Sequence, residues 1–143
     1  MNPNYNQTIT VYNCFRGEDN PNNLKDIWQK TVLHNCFYKN VIQRVDTDES
    51  SEMRNVYTAR IPESVLYRPY RTWIMLEEDE RKKCFTFRLG DIVVRGECQD
   101  DILGVSPCTA TEILEKYKPD SFKVTAFSDN TAHTTGKHYR IGG

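Results

Sequence analysis

Alternation of apolar and polar residues with a period of two constrains this chain most, because only an extended strand sends successive side chains to opposite faces. Residues 8–15 place Ile9, Val11 and Phe15 on one face and Thr10 and Tyr12 on the other. Residues 28–38 put Trp28, Val32, Cys36 and Tyr38 together, with Leu33 and Phe37 opposite, which predicts a strand covered on both sides. Met53, Tyr57, Ala59 and Ile61 are in phase against Arg54, Thr58 and Arg60 until Pro62, which has no N–H for a ladder. A shorter extended piece is predicted over 70–76, and a charged turn over 77–83 separates it from residues 84–88. Phe85/Phe87 and Ile92/Val94 flank Leu89-Gly90-Asp91 and predict a hairpin whose second half is the β-branched run 92–98. Residues 121–128 alternate again, with Phe122, Val124 and Ala126 inward, and 138–141 read as a last strand.

Helix signals concentrate in one place. Thr109-Ala110-Thr111-Glu112 is a capping box, followed by Ile113, Leu114 and Tyr117 and stopped by Pro119. A helix of about two turns does not stand alone, so it is expected to pack on the sheet. The chain has 143 residues with no repeat and no Gly/Ser- or Pro-rich linker, so residues 1–143 read as a single domain. The expected fold is mainly β, a small β-barrel or sandwich of about seven to eight short strands with one short α-helix near the C-terminus. Two connections, 16–27 and 39–52, are long for hairpins, which use about 2 to 5 residues, and loops of that size carry function or stay disordered.

Charge and composition exclude several classes. Nineteen basic residues against twenty acidic ones lack the excess that a phosphate-neutralising surface needs. No apolar run reaches the length of a membrane span, so no membrane partner is expected. The polar N-terminus does not resemble a signal peptide, and the five cysteines are then expected to be reduced thiols rather than a disulfide framework. His34 and Cys36 share a strand face, but no C-x2-C or H-x3-H spacing accompanies them, so neither a metal nor any other cofactor is expected. Cys108 beside Thr109 is the one thiol at a helix start, where capping is the ordinary explanation. No G-x-S-x-G and no phosphate-binding loop is present, and the chain is expected not to be an enzyme.

Two clusters remain. Residues 39–52 carry Lys39 and Arg44 against Asp46, Asp48, Glu49 and Glu52, a net charge of −2, without the glycine of a calcium loop. Such a run is either a solvated loop or an anionic projection that repels DNA or seats on a basic partner. Tyr67, Arg68, Tyr70, Arg71 and Trp73 interleave aromatics with arginine, the composition of interface hot spots, or else of an edge strand with its rings half in the core.

Taken together, several segments resemble a family of small proteins from tailed bacteriophages and prophages, the head-to-tail connector proteins of the head completion or stopper type. They are the opening strand Ile9-Thr10-Val11-Tyr12-Asn13, the run from Asp26-Ile27-Trp28 to Cys36-Phe37-Tyr38, and Ala59-Arg60-Ile61-Pro62. The aromatic segment with Trp73, the stretch from Phe85-Thr86-Phe87 to Arg95-Gly96-Glu97, and the ending Lys137-His138-Tyr139-Arg140-Ile141 complete them. The resemblance implies a β-barrel subunit of a six- or twelvefold ring in the virion neck, assembled in the cytoplasm of the host bacterium. Its partners would be further copies of itself, the portal or adaptor on the head side, and the tail terminator or tail tube on the other. Packaged DNA would pass transiently through the lumen. In stopper proteins the loop between the second and third strands closes the channel, a place that residues 39–52 occupy here. The capped helix and a further strand pair exceed a minimal barrel. The alternatives are a tail terminator or another minor tail or capsid protein, and a small cysteine- or metal-dependent accessory enzyme.

Overall fold

The computed structural model describes residues 3–132 and 134–143. Among them seven antiparallel strands form a curled half-barrel sheet, flanked by three short helices. The elements are β1 (Gln7–Phe15), β2 (Ile27–Asp46), β3 (Ser51–Pro62), α1 (Tyr70–Trp73), α2 (Glu78–Lys83), β4 (Ile92–Arg95), α3 (Ala110–Lys116), β5 (Ser121–Lys123), β6 (Ala126–Asn130) and β7 (His138–Gly142). The sheet order is β5-β4-β1-β2-β3-β7-β6, so β5 and β6 lie at opposite edges although only Val124 and Thr125 separate them.

That connection forces the curl. Three Cα steps reach at most about 11 Å, whereas six strand spacings across a flat sheet would measure about 29 Å. Across the curl the Tyr57 ring of β3 stacks on Phe122 of β5 at 5.2 Å, and beside it Tyr57 and Gly143 exchange backbone hydrogen bonds of 2.8 and 3.1 Å that extend the β3–β7 ladder. A Cβ on Gly143 would come within 2.4 Å of the Lys123 carbonyl oxygen, so this position has room for glycine alone.

The concave face holds the main core, with Ile9, Val11, Cys36, Ala59, Ile61, Val93, Phe122, Val124, Tyr139 and Ile141 packed around Phe85 and Phe87. The convex face over β1 and β4 is covered by α3, whose Ile113 joins Tyr12, Ile92, Val94, Cys98 and Ile102. Tyr12 and Thr10 are therefore as buried as Ile9 and Val11, and β1 has no solvent face. Thr109 caps the helix as expected, its Oγ1 accepting from the Glu112 N–H at 3.2 Å, while Glu112 turns back to accept from the Thr109 hydroxyl at 2.9 Å rather than from its backbone N–H.

Several sequence expectations are corrected. Asn35 sits at φ +58° where the β1–β2 register slips, and this bulge exchanges the two faces of β2. Leu33 before it and Cys36 and Tyr38 after it consequently pack in the same concave core, while Trp28 points to the convex side. Residues 70–73 are instead helix α1, whose first turn closes when the Thr72 and Trp73 N–H groups donate to the Pro69 carbonyl, and Tyr70, Trp73 and Ile74 pack together at helical spacing. Residues 78–83 form α2, acidic in its first turn and basic in its last, as the helix dipole favours. Phe85 and Phe87 are buried but do not pair with β4, because β1 and β5 already occupy both its edges. The predicted 121–128 strand is two strands meeting at the seam, and Ala126 is exposed. The number of strands lies within the expected range, but there are three short helices instead of one, and β2 is twenty residues long.

Candidate functional site

The connection expected over 39–52 is not a loop. β2 and β3 continue pairing from Phe37↔Arg60 to Asp46↔Ser51 and enclose a turn of only four residues, 47–50. Since pairing on the other edge of β3 ends with Tyr57 and Gly143, and β1 pairs with β2 no further than Cys36, the outer part of this hairpin has both edges free. Six residues from Val41 to Asp46 at about 3.3 Å each make a two-stranded arm about 20 Å long. The β-branched Val41, Ile42, Val45 and Val56 favour extended backbone even without burial. At the tip the Thr47 N–H donates to the Ser50 carbonyl at 2.7 Å, and the Ser50 N–H donates back to Thr47 Oγ1 at 3.1 Å.

Each charged residue expected in the channel loop lies on this arm. Lys39 stands at its root, and Arg44 holds Asp46 at 3.2 Å and Ser51 Oγ at 2.6 Å. On the returning strand Glu52 is paired with Arg54 at 2.5 Å. Asp48 and Glu49 occupy the turn, and neither they nor Lys39 have an ion-pair partner among the described residues. Apolar side chains stand exposed among them, Ile42 at 70% and Met53 at 65%. A two-stranded ribbon alone in water is marginal, so an arm of this make-up suits burial against another molecule.

The aromatic-arginine segment does not assemble into one surface. Trp73 is fully buried against Phe15, with the Arg81 guanidinium 5.9 Å from its ring centre. Tyr67 is half buried between Phe87 and Tyr139, and burial pushes its phenol up to about 12. Tyr70 donates to Asp19 at 2.7 Å and lies under the Arg88 guanidinium, while Arg68 caps the carbonyls of Val65 and Tyr67. Arg71 is exposed. The rings are partly or fully in the core, as the second alternative had it, but they stand on α1 and the loop before it rather than on an edge strand.

The sequence reading passed over a buried polar group. Asp91 is 1% exposed and accepts from the Asn13 amide at 2.9 Å, the Arg88 N–H at 2.9 Å and the Cys14 N–H at 3.2 Å. Burial raises its carboxyl to about 6, against the pull of those donors and of the Arg88 guanidinium. Asn13 in turn bridges the backbone of Thr86, so the network ties β1 to the stretch that replaces the predicted hairpin. A polar residue at the inward position of a strand, Asn13, was the available signal. Apart from the contact between Asn13 and Asp91 themselves, the hydrogen-bond partners of the two side chains are backbone groups, which makes the network structural.

The thiols are all free; Cys14, Cys36, Cys84 and Cys98 are buried and Cys108 is partly exposed. Burial lifts both Cys14 and Cys36 to about 12, far from a thiolate at neutral pH. Among the described residues no three His, Cys, Asp or Glu side chains converge as a metal-holding group, and no helix is long and apolar enough to cross a membrane.

A model of DUF6751, a family of unknown function, matches residues 4–143. The chain belongs to that family. The match spans every strand of the sheet, the arm included. No curated protein and no solved structure matches the chain.

Proposed function

We propose that this member of DUF6751 is a non-enzymatic ring subunit of the head-to-tail connector in a tailed bacteriophage or prophage particle, acting as a head completion protein of the stopper type. The observation that carries the reading is the arm between the second and third strands of a curled sheet, at the place where the resemblance puts the channel-closing element. The arm brings exposed apolar side chains for neighbouring copies and a turn with two carboxylates that have no ion-pair partner among the described residues. Repeated around a ring of six or twelve copies, the arms would reach between subunits and narrow the channel through which DNA passes, at the place where the resemblance puts the closing element. The portal or adaptor would then sit on one side of the ring and the tail terminator or tail tube on the other, in the neck of the virion.

Deleting the gene from a lysogen tests this. Filled heads that leak DNA and lack tails, together with rings of the protein in intact particles by electron microscopy, are the expected result. Tails of uncontrolled length would assign the chain to the tail terminator instead, and absence of the protein from purified virions would remove both roles.

A further inference from the structure

The convex face of the sheet beyond α3 carries charges of the opposite sign to the arm's tip. Phe37 on β2, Arg60 on β3, Arg140 on β7 and Ser128 on β6 lie directly across from one another in register. The next row holds Lys39, Thr58, Gly142 and Ala126. The helix that covers the convex side elsewhere stops over β1 and β4, so these rows face outward. Arg60 and Arg140 are direct cross-strand neighbours, an arrangement that repels unless an anion joins them. None of Lys39, Arg60 and Arg140 has an ion-pair partner among the described residues. Arg60 Nε is enclosed, with its guanidinium 5.1 Å from the Phe37 ring centre, and finds no acceptor. Beside them a groove of about 410 Å³ runs along Val56, Thr58, Ala126, Ser128, Arg140 and Gly142, shallow because Gly142 and Ala126 have little or no side chain.

We infer that this groove receives the arm tip of a second copy of the same chain, with Asp48 and Glu49 of one subunit between Arg60, Arg140 and Lys39 of the next. The fit is one of charge: Asp48 and Glu49 on one chain and Lys39, Arg60 and Arg140 on the next are opposite in sign, and none of the five has an ion-pair partner among the described residues of a single chain. One chain cannot satisfy itself, because the tip stands roughly 25 Å along the ribbon from Lys39. Tip and groove are different surfaces, so the contact is head-to-tail, the kind that closes into a ring when the rotation permits. A nucleic acid laid on the same cations would run onto Glu52 and the acidic tip of the arm beside them. The docking rests on the connector reading only in taking the closed assembly to be that ring.

Charge reversal in two halves tests it. The tip variant Asp48→Lys/Glu49→Lys and the face variant Arg60→Glu/Arg140→Glu are each purified and checked for folding by circular dichroism. Mass is then measured by light scattering behind gel filtration. The unaltered protein is expected to form an oligomer that dissociates as salt rises from about 0.1 M to 1 M, where the screening length shrinks from about 10 Å to 3 Å. Each folded variant alone is expected to be a monomer. Their equimolar mixture is expected to regain the oligomer, since every junction then pairs a lysine tip with a glutamate face or an unaltered tip with an unaltered face. An unaltered protein that is monomeric in low salt, variants that keep their oligomer, a mixture that stays monomeric, or binding of single-stranded DNA that the face variant alone abolishes would each overturn the docking. Presence of the protein in virions reads the connector role independently of all four.

Discussion

Replacing Asp91 with asparagine should change how the stability of this protein depends on pH, in a direction opposite to that of most carboxylates. Asp91 is buried and its carboxyl lies near 6 in the folded chain, against 3.8 for a free aspartate. Between those values the folded state keeps a proton that the unfolded state has released. The contribution to stability is thus complete below about pH 4 and is lost as pH rises through 6. A gap of about two pH units corresponds to about 3 kcal/mol. Asp19, Asp100 and Glu78 work the other way, since hydrogen bonds from Tyr70, Lys116 and Lys82 respectively are the main causes that lower them, and their stabilisation grows with pH.

Because those three titrate in both proteins, their effects cancel in a difference. Urea unfolding of the unaltered chain and of Asp91→Asn, followed by the fluorescence of Trp28 and Trp73, gives that difference at each pH from 3.5 to 7.5. The variant begins with a deficit, because its amide nitrogen must face a donor that the carboxylate accepted from, and one unsatisfied buried N–H costs about 1–3 kcal/mol. From that starting point the variant should gain about 3 kcal/mol on the unaltered protein across the range. A flat difference would show that the carboxyl titrates near its ordinary value. A difference that moves against the variant would show that the three donors stabilise the ion by more than burial penalises it, and either result refutes the reasoning.

Trp73→Ala should destabilise the fold by about 3–5 kcal/mol, since it empties the site between Phe15 and Arg81, and denaturant midpoints measure it. Thr109→Ala removes the acceptor for the Glu112 N–H and should cost about 1 kcal/mol in the same assay. Replacing residues 41–56 by an Asn-Gly turn should leave the melting temperature of the monomer unchanged, because that part of the arm adds nothing to the core, while oligomer formation is lost. Titration of the folded protein with an aromatic disulfide reagent should label Cys108 first, and the four buried thiols only on unfolding.

What the sequence made legible follows from where burial imposes a period. β1, the inner half of β3 and β7 each face the concave core with every second residue, and their alternation locates them. The capping box is equally readable, because its partners are three residues apart and its geometry is local. Errors begin where a distant element decides. Phe85 and Phe87 have a strand's pattern, yet β4 has no edge left to offer them. Tyr70, Ile74 and Leu76 are in phase for a strand while Tyr70, Trp73 and Ile74 are in phase for a helix, and only packing against Phe15 and Cys84 selects the helix. The phase of β2 is lost at Asn35, where one residue with a left-handed backbone exchanges the faces.

The arm was misread as a loop for a related reason, and that reason bears on what it does. Period-two patterning reports a strand only when one face is dry, and residues 41–56 of the isolated chain are wet on nearly every side. Their composition divides accordingly into β-formers that hold the ribbon, Val41, Ile42, Val45 and Val56, and charges set among them with no common face. A chain that keeps twenty consecutive residues extended, half of them beyond any sheet partner but their own return strand, spends backbone order on a structure that yields little burial by itself. Under the docking proposed above that order would be recovered where a second copy covers those surfaces. The polar pattern that hid the arm from a sequence reading would then have the same origin as the contacts proposed for it, since a strand whose packing partner is another chain carries no period that its own core imposes.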